Sequence, residues 1–206
     1  MEVQECVLFG SLRDEYESVL RDRLDGLCDP TTRQFSEEEW PFELLYEGRT
    51  VMRVRLRRSM DKTMHKCFHL RYVGASEPDL QCPTLVRKTV DSLVQSENIM
   101  AFLKELGLRD TQNFHYICRG TIYTKGRLKV ILQHIFKSPA QPNQAPEPIL
   151  GATLVELNLA VAPGQDYRAA AKTVKEFGDQ LKPLVTMEKI DPNTLAPSTV
   201  QGVAKV

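Results

Sequence analysis

Arg53, Arg55 and Arg57 alternate with Met52, Val54 and Leu56 along the segment Val51 to Asp61. A strand sends successive side chains to opposite faces, so the spacing predicts a strand with one arginine face and one apolar face. A row of arginines can bind phosphate. Barrels that hydrolyse triphosphates in a tunnel add carboxylates that converge on a divalent metal, because a hard cation needs several oxygen ligands. Arg127 and Lys129 add bases to that picture, but the acids are missing from it. Glu2 and Glu5 are three apart and face opposite sides of a strand, Glu156 stands between Leu154 and Asn158, and Glu37 and Glu39 sit in an acidic, turn-like run. The sequence therefore predicts no catalytic residue and no catalytic metal.

The other candidates are weaker. His65, Cys67 and His69 fall at alternate positions, and thiolate and imidazole are good zinc ligands. Such positions lie about 6.5–7 Å apart along a strand, however, and no second Cys/His pair is near to complete the shell. His115 and His134 are isolated and pair with no nucleophile. Lys125-Gly126-Arg127 and Ala162 to Asp166 are glycine turns without the spacing of a phosphate cradle. The basic strands lack the interleaved aromatics of an RNA-binding sheet. No metal, cofactor or catalytic site is predicted, and neither is sequence-specific nucleic-acid binding.

The elements that must position the arginines read as follows. Val3 to Phe9 predicts a short strand ending at Gly10, and Ser11 starts a helix to Leu27 with Tyr16, Val19, Leu20, Leu24 and Leu27 on one face. Phe35 to Tyr46 predicts a Glu-rich turn and then a strand from Phe42, which can pair with the arginine strand at Thr50 to Arg58. Lys66 to Val73 and Leu85 to Val94 predict further strands, and Asn98 to Leu106 a helix closed by Gly107. Phe114 to Tyr123 and Arg127 to Phe136 form a hairpin about Thr124-Lys125-Gly126. Ser138 to Pro148 carries four prolines and predicts a long hairpin loop before a strand at Leu154 to Ala162. A helix from Asp166 to Leu181 and a short strand at Leu184 to Ile190 follow. The tally predicts an α+β fold: an antiparallel β-barrel flanked by about three helices. One domain is expected over 1–192 with a Pro-rich loop at 138–149, and a disordered tail is expected at 193–206.

Composition narrows the setting. The 206 residues hold 27 Lys+Arg and 27 Asp+Glu, so no global charge draws the chain to nucleic acid or membrane. The charge is uneven along the chain: residues 13–47 hold four basic and eleven acidic residues, and residues 49–71 eight basic and one acidic. That asymmetry predicts internal pairing or an interaction surface. Five scattered cysteines without a CxxC fit a reducing compartment. No signal pattern opens the chain, and no apolar run approaches the roughly 18 residues of a membrane span. A soluble, intracellular protein is expected.

Several blocks, read in order, carry a resemblance. They are Arg57-Arg58-Ser59-Met60-Asp61, His69-Leu70-Arg71-Tyr72, Leu85-Val86-Arg87 with Val90-Asp91, and Ser96-Glu97-Asn98 with Phe102-Leu103 and Gly107. Lys125-Gly126 with Lys129, Leu154-Val155-Glu156-Leu157 and Ala162 to Asp166 follow. The most specific is Gln180-Leu181-Lys182-Pro183-Leu184-Val185 with Glu188 to Pro192. Together they resemble the subunit 18 family of the Mediator of RNA polymerase II transcription, of the animal type, over nearly the whole chain to Pro192. The resemblance implies a non-enzymatic nuclear subunit of the Mediator head module. It implies a related barrel, Mediator subunit 20, and a C-terminal helix of Mediator subunit 8 as partners, beside other head subunits and RNA polymerase II. No family motif names contact residues. Interfaces favour arginine, which makes Arg53, Arg55, Arg57 and Arg71 the candidate partner-binding residues.

Overall fold

The computed structural model describes residues 2–61, 66–111, 114–139, 141 and 143–190. In chain order its elements are β1 (Glu2–Arg13), α1 (Glu17–Leu27), β2 (Arg33–Tyr46), β3 (Arg49–Ser59), β4 (Cys67–Ser76), β5 (Leu85–Gln95), α2 (Ile99–Glu105), β6 (Leu108–Asp110), β7 (Tyr116–Lys125), β8 (Leu128–Lys137), β9 (Glu147–Pro148), β10 (Ala152–Val161) and α3 (Arg168–Gln180). Eight of the strands close into an antiparallel barrel in the order β1-β5-β4-β3-β2-β7-β8-β10 and back to β1. β6 pairs with β2, and β9 with the end of β8.

The helices cover the outside of this barrel. Leu20 and Leu24 of α1 and Ala171, Val174 and Phe177 of α3 are buried against Cys6, Leu8 and Leu12 of β1, Val130 and Leu132 of β8 and Val155, Leu157 and Leu159 of β10. A second cluster lies under α2, where Ile99 and Leu103 pack on Phe42, Val54, Leu56 and Phe68. Both apolar cores therefore sit between helix and outer wall, and the alternate residues of each strand are left to face the interior.

The expected architecture holds, with local corrections. β1 runs on through Gly10 to Arg13, because Gly10 to Arg13 stay paired with Val155 to Ala152, so α1 begins six residues later than Ser11. Gly10 is required there for another reason: a Cβ would stand 2.6 Å from Val185 Cγ1 and 2.9 Å from the Thr186 carbonyl oxygen, where the C-terminal segment crosses the strand. That segment makes only a bridge, Phe9 with Glu188, in place of the expected strand at Leu184 to Ile190. The Glu-rich run is not a turn: Arg33 to Tyr46 is one long strand. The Pro-rich segment joins the antiparallel neighbours β8 and β10, and two of its residues form β9. His65 and the tail 193–206 lie outside the described residues.

Candidate functional site

The register decides which way the arginines point. Glu39 stands opposite Arg57, Pro41 opposite Arg55 and Glu43 opposite Arg53 in the β2–β3 ladder. Arg55 is in turn opposite Arg71, and Arg71 opposite Asp91. Arg87 is opposite Glu5 on β1. The residues between them, Phe42, Val54, Leu56 and Phe68, belong to the outer core under α2. Successive strand residues alternate faces, so the arginines and their carboxylates face the barrel interior. Glu5, Glu39 and Arg87 are buried.

A connected ion-pair network results. Arg71 Nη2 donates to both carboxylate oxygens of Glu5 at 2.5 and 2.6 Å, and its Nη1 lies 3.5 Å from Asp91. Arg87 Nε donates to Glu5 Oε2 at 3.4 Å. Arg57 Nε donates to Glu39 Oε2 at 2.6 Å, while Arg55 Nη1 comes no nearer than 3.7 Å to Glu39 Oε1. Arg53 Nε donates to Glu43 at 3.0 Å. Burial pushes the Glu5 carboxyl up, but Arg71 and Arg87 outweigh it and hold the group below the ordinary 4.5. Glu39 behaves in the same way under Arg57 and Arg55. Burial, with Arg71 and Arg55 beside it, lowers Arg87 against the opposing pull of Glu156 and Glu5. The Cys118 thiol, opposite Glu37 on the same interior face, is pushed up to about 12 by burial and by Glu39, which makes it an inert thiol.

One mouth of the barrel opens into a cavity of about 470 Å³ lined by Arg33, Phe35, Glu37, Ser59, Cys67 and His69. Cys67 and His69 thus share a wall, but no cluster of three metal-ligating groups forms there among the described residues. The cluster that does form is on the outer wall: Asp14, Glu17 and His134 bring one ligand atom each within 4.8 Å of the others. The Thr153 hydroxyl lies 3.1 Å from Asp14, 2.7 Å from Glu17 and 3.1 Å from His134 Nε2. It ties α1 to β8 and β10.

The structure thus brings Arg53, Arg55, Arg57 and Arg71 together, inside the barrel. The acidic stretch Glu37 to Glu47 supplies Glu43 and Glu39 to Arg53 and Arg57, the internal pairing that the uneven charge predicts, whereas Glu5 of β1 and Asp91 of β5 come from distant strands and are not expected from the sequence. Glu37, Glu39 and Glu43 share the parity of the arginines across the hairpin, and that was the available signal. Glu5, Glu39, Glu43 and Asp91 are engaged with guanidinium groups, and among the described residues no three interior acids converge on a space for a metal ion.

A closed antiparallel barrel with helices outside and a salt-bridged interior is the fold class. The Med18 protein family model matches residues 46–196. A Caenorhabditis elegans protein named Mediator of RNA polymerase II transcription subunit 18 is 36% identical over 197 residues, covering 92% of this chain and 84% of its own. An Aedes aegypti protein of the same name is 38% identical over 194 residues, covering 91% and 85%. A chain in the Schizosaccharomyces pombe Mediator head module superposes with a TM-score of 0.74 at 15% identity, covering 91% of this chain and 98% of that one. The chain belongs to the Mediator subunit 18 family. It is a Mediator subunit of structural, non-enzymatic type.

Proposed function

We propose that this chain works in the nucleus as the partner of Mediator subunit 20 in the head module, and that a C-terminal helix of Mediator subunit 8 anchors the pair. The observation that carries this reading is the superposition over nine-tenths of the chain on a head-module subunit. The surface supplies the physical motive. Leu45, Tyr46 and Val51 at the β2–β3 hairpin tip, Phe102 on α2 and Leu106 just past its end are exposed. These two regions are neighbours, since α2 leads into β6, which pairs with β2 at Phe42 to Leu44. Large apolar side chains gathered at one place on a wall mark an association surface. Arg53, Arg55, Arg57 and Arg71 serve assembly only where a partner segment reaches into the barrel mouth.

The test is co-expression with Mediator subunits 20 and 8, followed by light scattering on the purified material. A stoichiometric ternary complex is the expected result, and Phe102→Glu with Tyr46→Glu should weaken it. A chain that stays monomeric beside both subunits would contradict the proposal.

A further inference from the structure

We propose that the outer wall of the barrel carries a binding site for a divalent metal ion of the zinc class, made by Asp14, Glu17 and His134 where the chain turns from β1 into α1. The site lies on the opposite face of the wall from the arginine network, and it is independent of the assembly role.

The ligand atoms come from three places in the chain and meet at coordination distances. Asp14 stands just past the end of β1, Glu17 opens α1 and His134 is on β8. His134 Nε2 lies 3.3 Å from Asp14 Oδ1 and 3.1 Å from Glu17 Oε2. A tetrahedral zinc ion with bonds of about 2.0–2.1 Å sets its ligand atoms roughly 3.3 Å apart. The other oxygen of Glu17 is already fixed. Its Oε1 accepts from Arg21 Nε at 2.8 Å, and Arg21 is itself held by the Thr121 hydroxyl at 3.0 Å and the Tyr123 hydroxyl at 3.3 Å. Oε2 is thereby turned into the cluster, as an outer-shell partner orients a metal ligand. An independent observation is a shortage of protons. Thr153 of β10 is fully buried, and its hydroxyl is aimed at all three groups, 3.1 Å from Asp14 Oδ1, 2.7 Å from Glu17 Oε2 and 3.1 Å from His134 Nε2. It carries one proton and can donate to one of them. The imidazole supplies at most one more at Nε2. The remaining contacts set lone pair against lone pair, and a cation among these atoms answers all of them at once.

The chemistry selects the ion. An imidazole nitrogen beside carboxylates suits zinc and its transition-metal neighbours. Calcium takes six to eight oxygen ligands and magnesium an octahedral shell, and three protein ligands with one nitrogen serve neither. The two carboxylates outweigh Arg21, so a dication is attracted. The Asp14 side chain is 51% exposed and that of His134 30%, so the ion can enter from solvent and keep a water. Its role is structural: it clamps the start of α1 to β8, at the edge of the core that α1 covers.

The test is isothermal titration calorimetry of zinc chloride into the full chain, stripped with chelator and kept reduced. Saturable 1:1 binding is expected, with a rise in melting temperature, because an ion that binds only the folded chain stabilises it. His134→Gln and Asp14→Asn should each weaken binding by at least about tenfold, since even outer-shell changes cost that much. Asp14 is exposed, so Asp14→Asn keeps the fold, and melting without metal checks both variants. Cobalt(II) in place of zinc reports the ligand atoms. The visible bands of a nitrogen and oxygen site are expected, without the charge-transfer band that a thiolate such as Cys67 would add. Absence of saturable zinc binding would overturn the proposal and leave His134 as an ion-pair partner of the two carboxylates. Unchanged affinity in either variant, a thiolate charge-transfer band in the cobalt form, or tighter binding of calcium or magnesium than of zinc would overturn it as well.

Discussion

The two faces of the barrel wall are built on opposite rules. Outside, under α1 and α3, Leu8, Leu20, Leu24, Val130, Leu157 and Val174 are sealed from water and hold one another by packing. Inside, Arg57 holds Glu39, and Arg71 and Arg87 hold Glu5, by charge. A small barrel ordinarily fills its interior with apolar side chains. This one moves its two large cores outside, where three helices supply the cover, and keeps an ion-pair network inside, with Val7 and Leu85 packed beside Glu5 and Arg87 on the inward face. The outer face can tolerate changes of shape that conserve volume. The inner face tolerates no unbalanced loss of charge, because a buried ion left without its partner costs more than the pair contributed.

The largest effect should come from unbalancing the interior. Glu5→Ala leaves Arg71 and Arg87 facing each other, and should cost about 3–5 kcal/mol in urea unfolding. Leu157→Ala removes a fully buried side chain from the outer core and should cost about 2–5 kcal/mol in the same assay, with the smaller figure where the wall can relax. Near these lies Gly120→Ala, because its Cβ would stand 2.0 Å from the Leu132 carbonyl oxygen and would force β7 and β8 apart. The expected readout is a lower melting temperature, and an unchanged one would show that the hairpin can shift freely.

Acid should distinguish the faces. Glu5 and Glu39 of the interior both titrate below the ordinary carboxylate value of 4.5 in the folded chain. Their folded forms bind the proton less readily than the unfolded chain does. The stability they contribute is therefore fully present above that ordinary value and is lost as pH falls through the lower folded values. Melting curves should be flat from neutrality down to the carboxylate range and then drop. Glu39→Gln should flatten the drop, and Leu157→Ala should shift the whole curve without changing its slope. The smallest effect belongs to the exterior of α3: Lys172→Ala removes an exposed i,i+4 pair with Glu176 and should change stability by less than about 0.5 kcal/mol.

Much of this architecture is legible in the chain. The period-2 alternation of Arg53 to Arg57 marks β3, the Thr124-Lys125-Gly126 turn marks the β7–β8 hairpin, and the stripe through Val174 and Phe177 marks α3. Three features are not legible, each for a physical reason. The run Glu37-Glu38-Glu39 reads as a turn because glutamate is depleted in strands. Cross-strand charge overrides that preference, as Glu38 pairs with Arg58 on the outside and Glu39 with Arg57 on the inside. The inward direction of the arginine face is hidden because an apolar face is ordinarily taken as the interior one. Here α2, forty residues further on, covers Val54 and Leu56 from outside. The convergence of Glu5 on Arg71 and Arg87 depends on barrel closure between distant strands, and no local spacing reports it.

The most direct test of the inward charge network is the triple change Arg53→Glu, Arg55→Glu and Arg57→Glu, followed by circular-dichroism melting beside a titration with the subunit 20 and subunit 8 pair. Facing Glu39 and Glu43 across the ladder, the new carboxylates would repel the acids that the arginines now hold. The account predicts that the cooperative melting transition collapses or falls steeply, with loss of assembly following from loss of fold. A variant that melts like the parent and loses only its affinity for the subunit pair would contradict it, and would put these arginines on an outer, partner-facing wall.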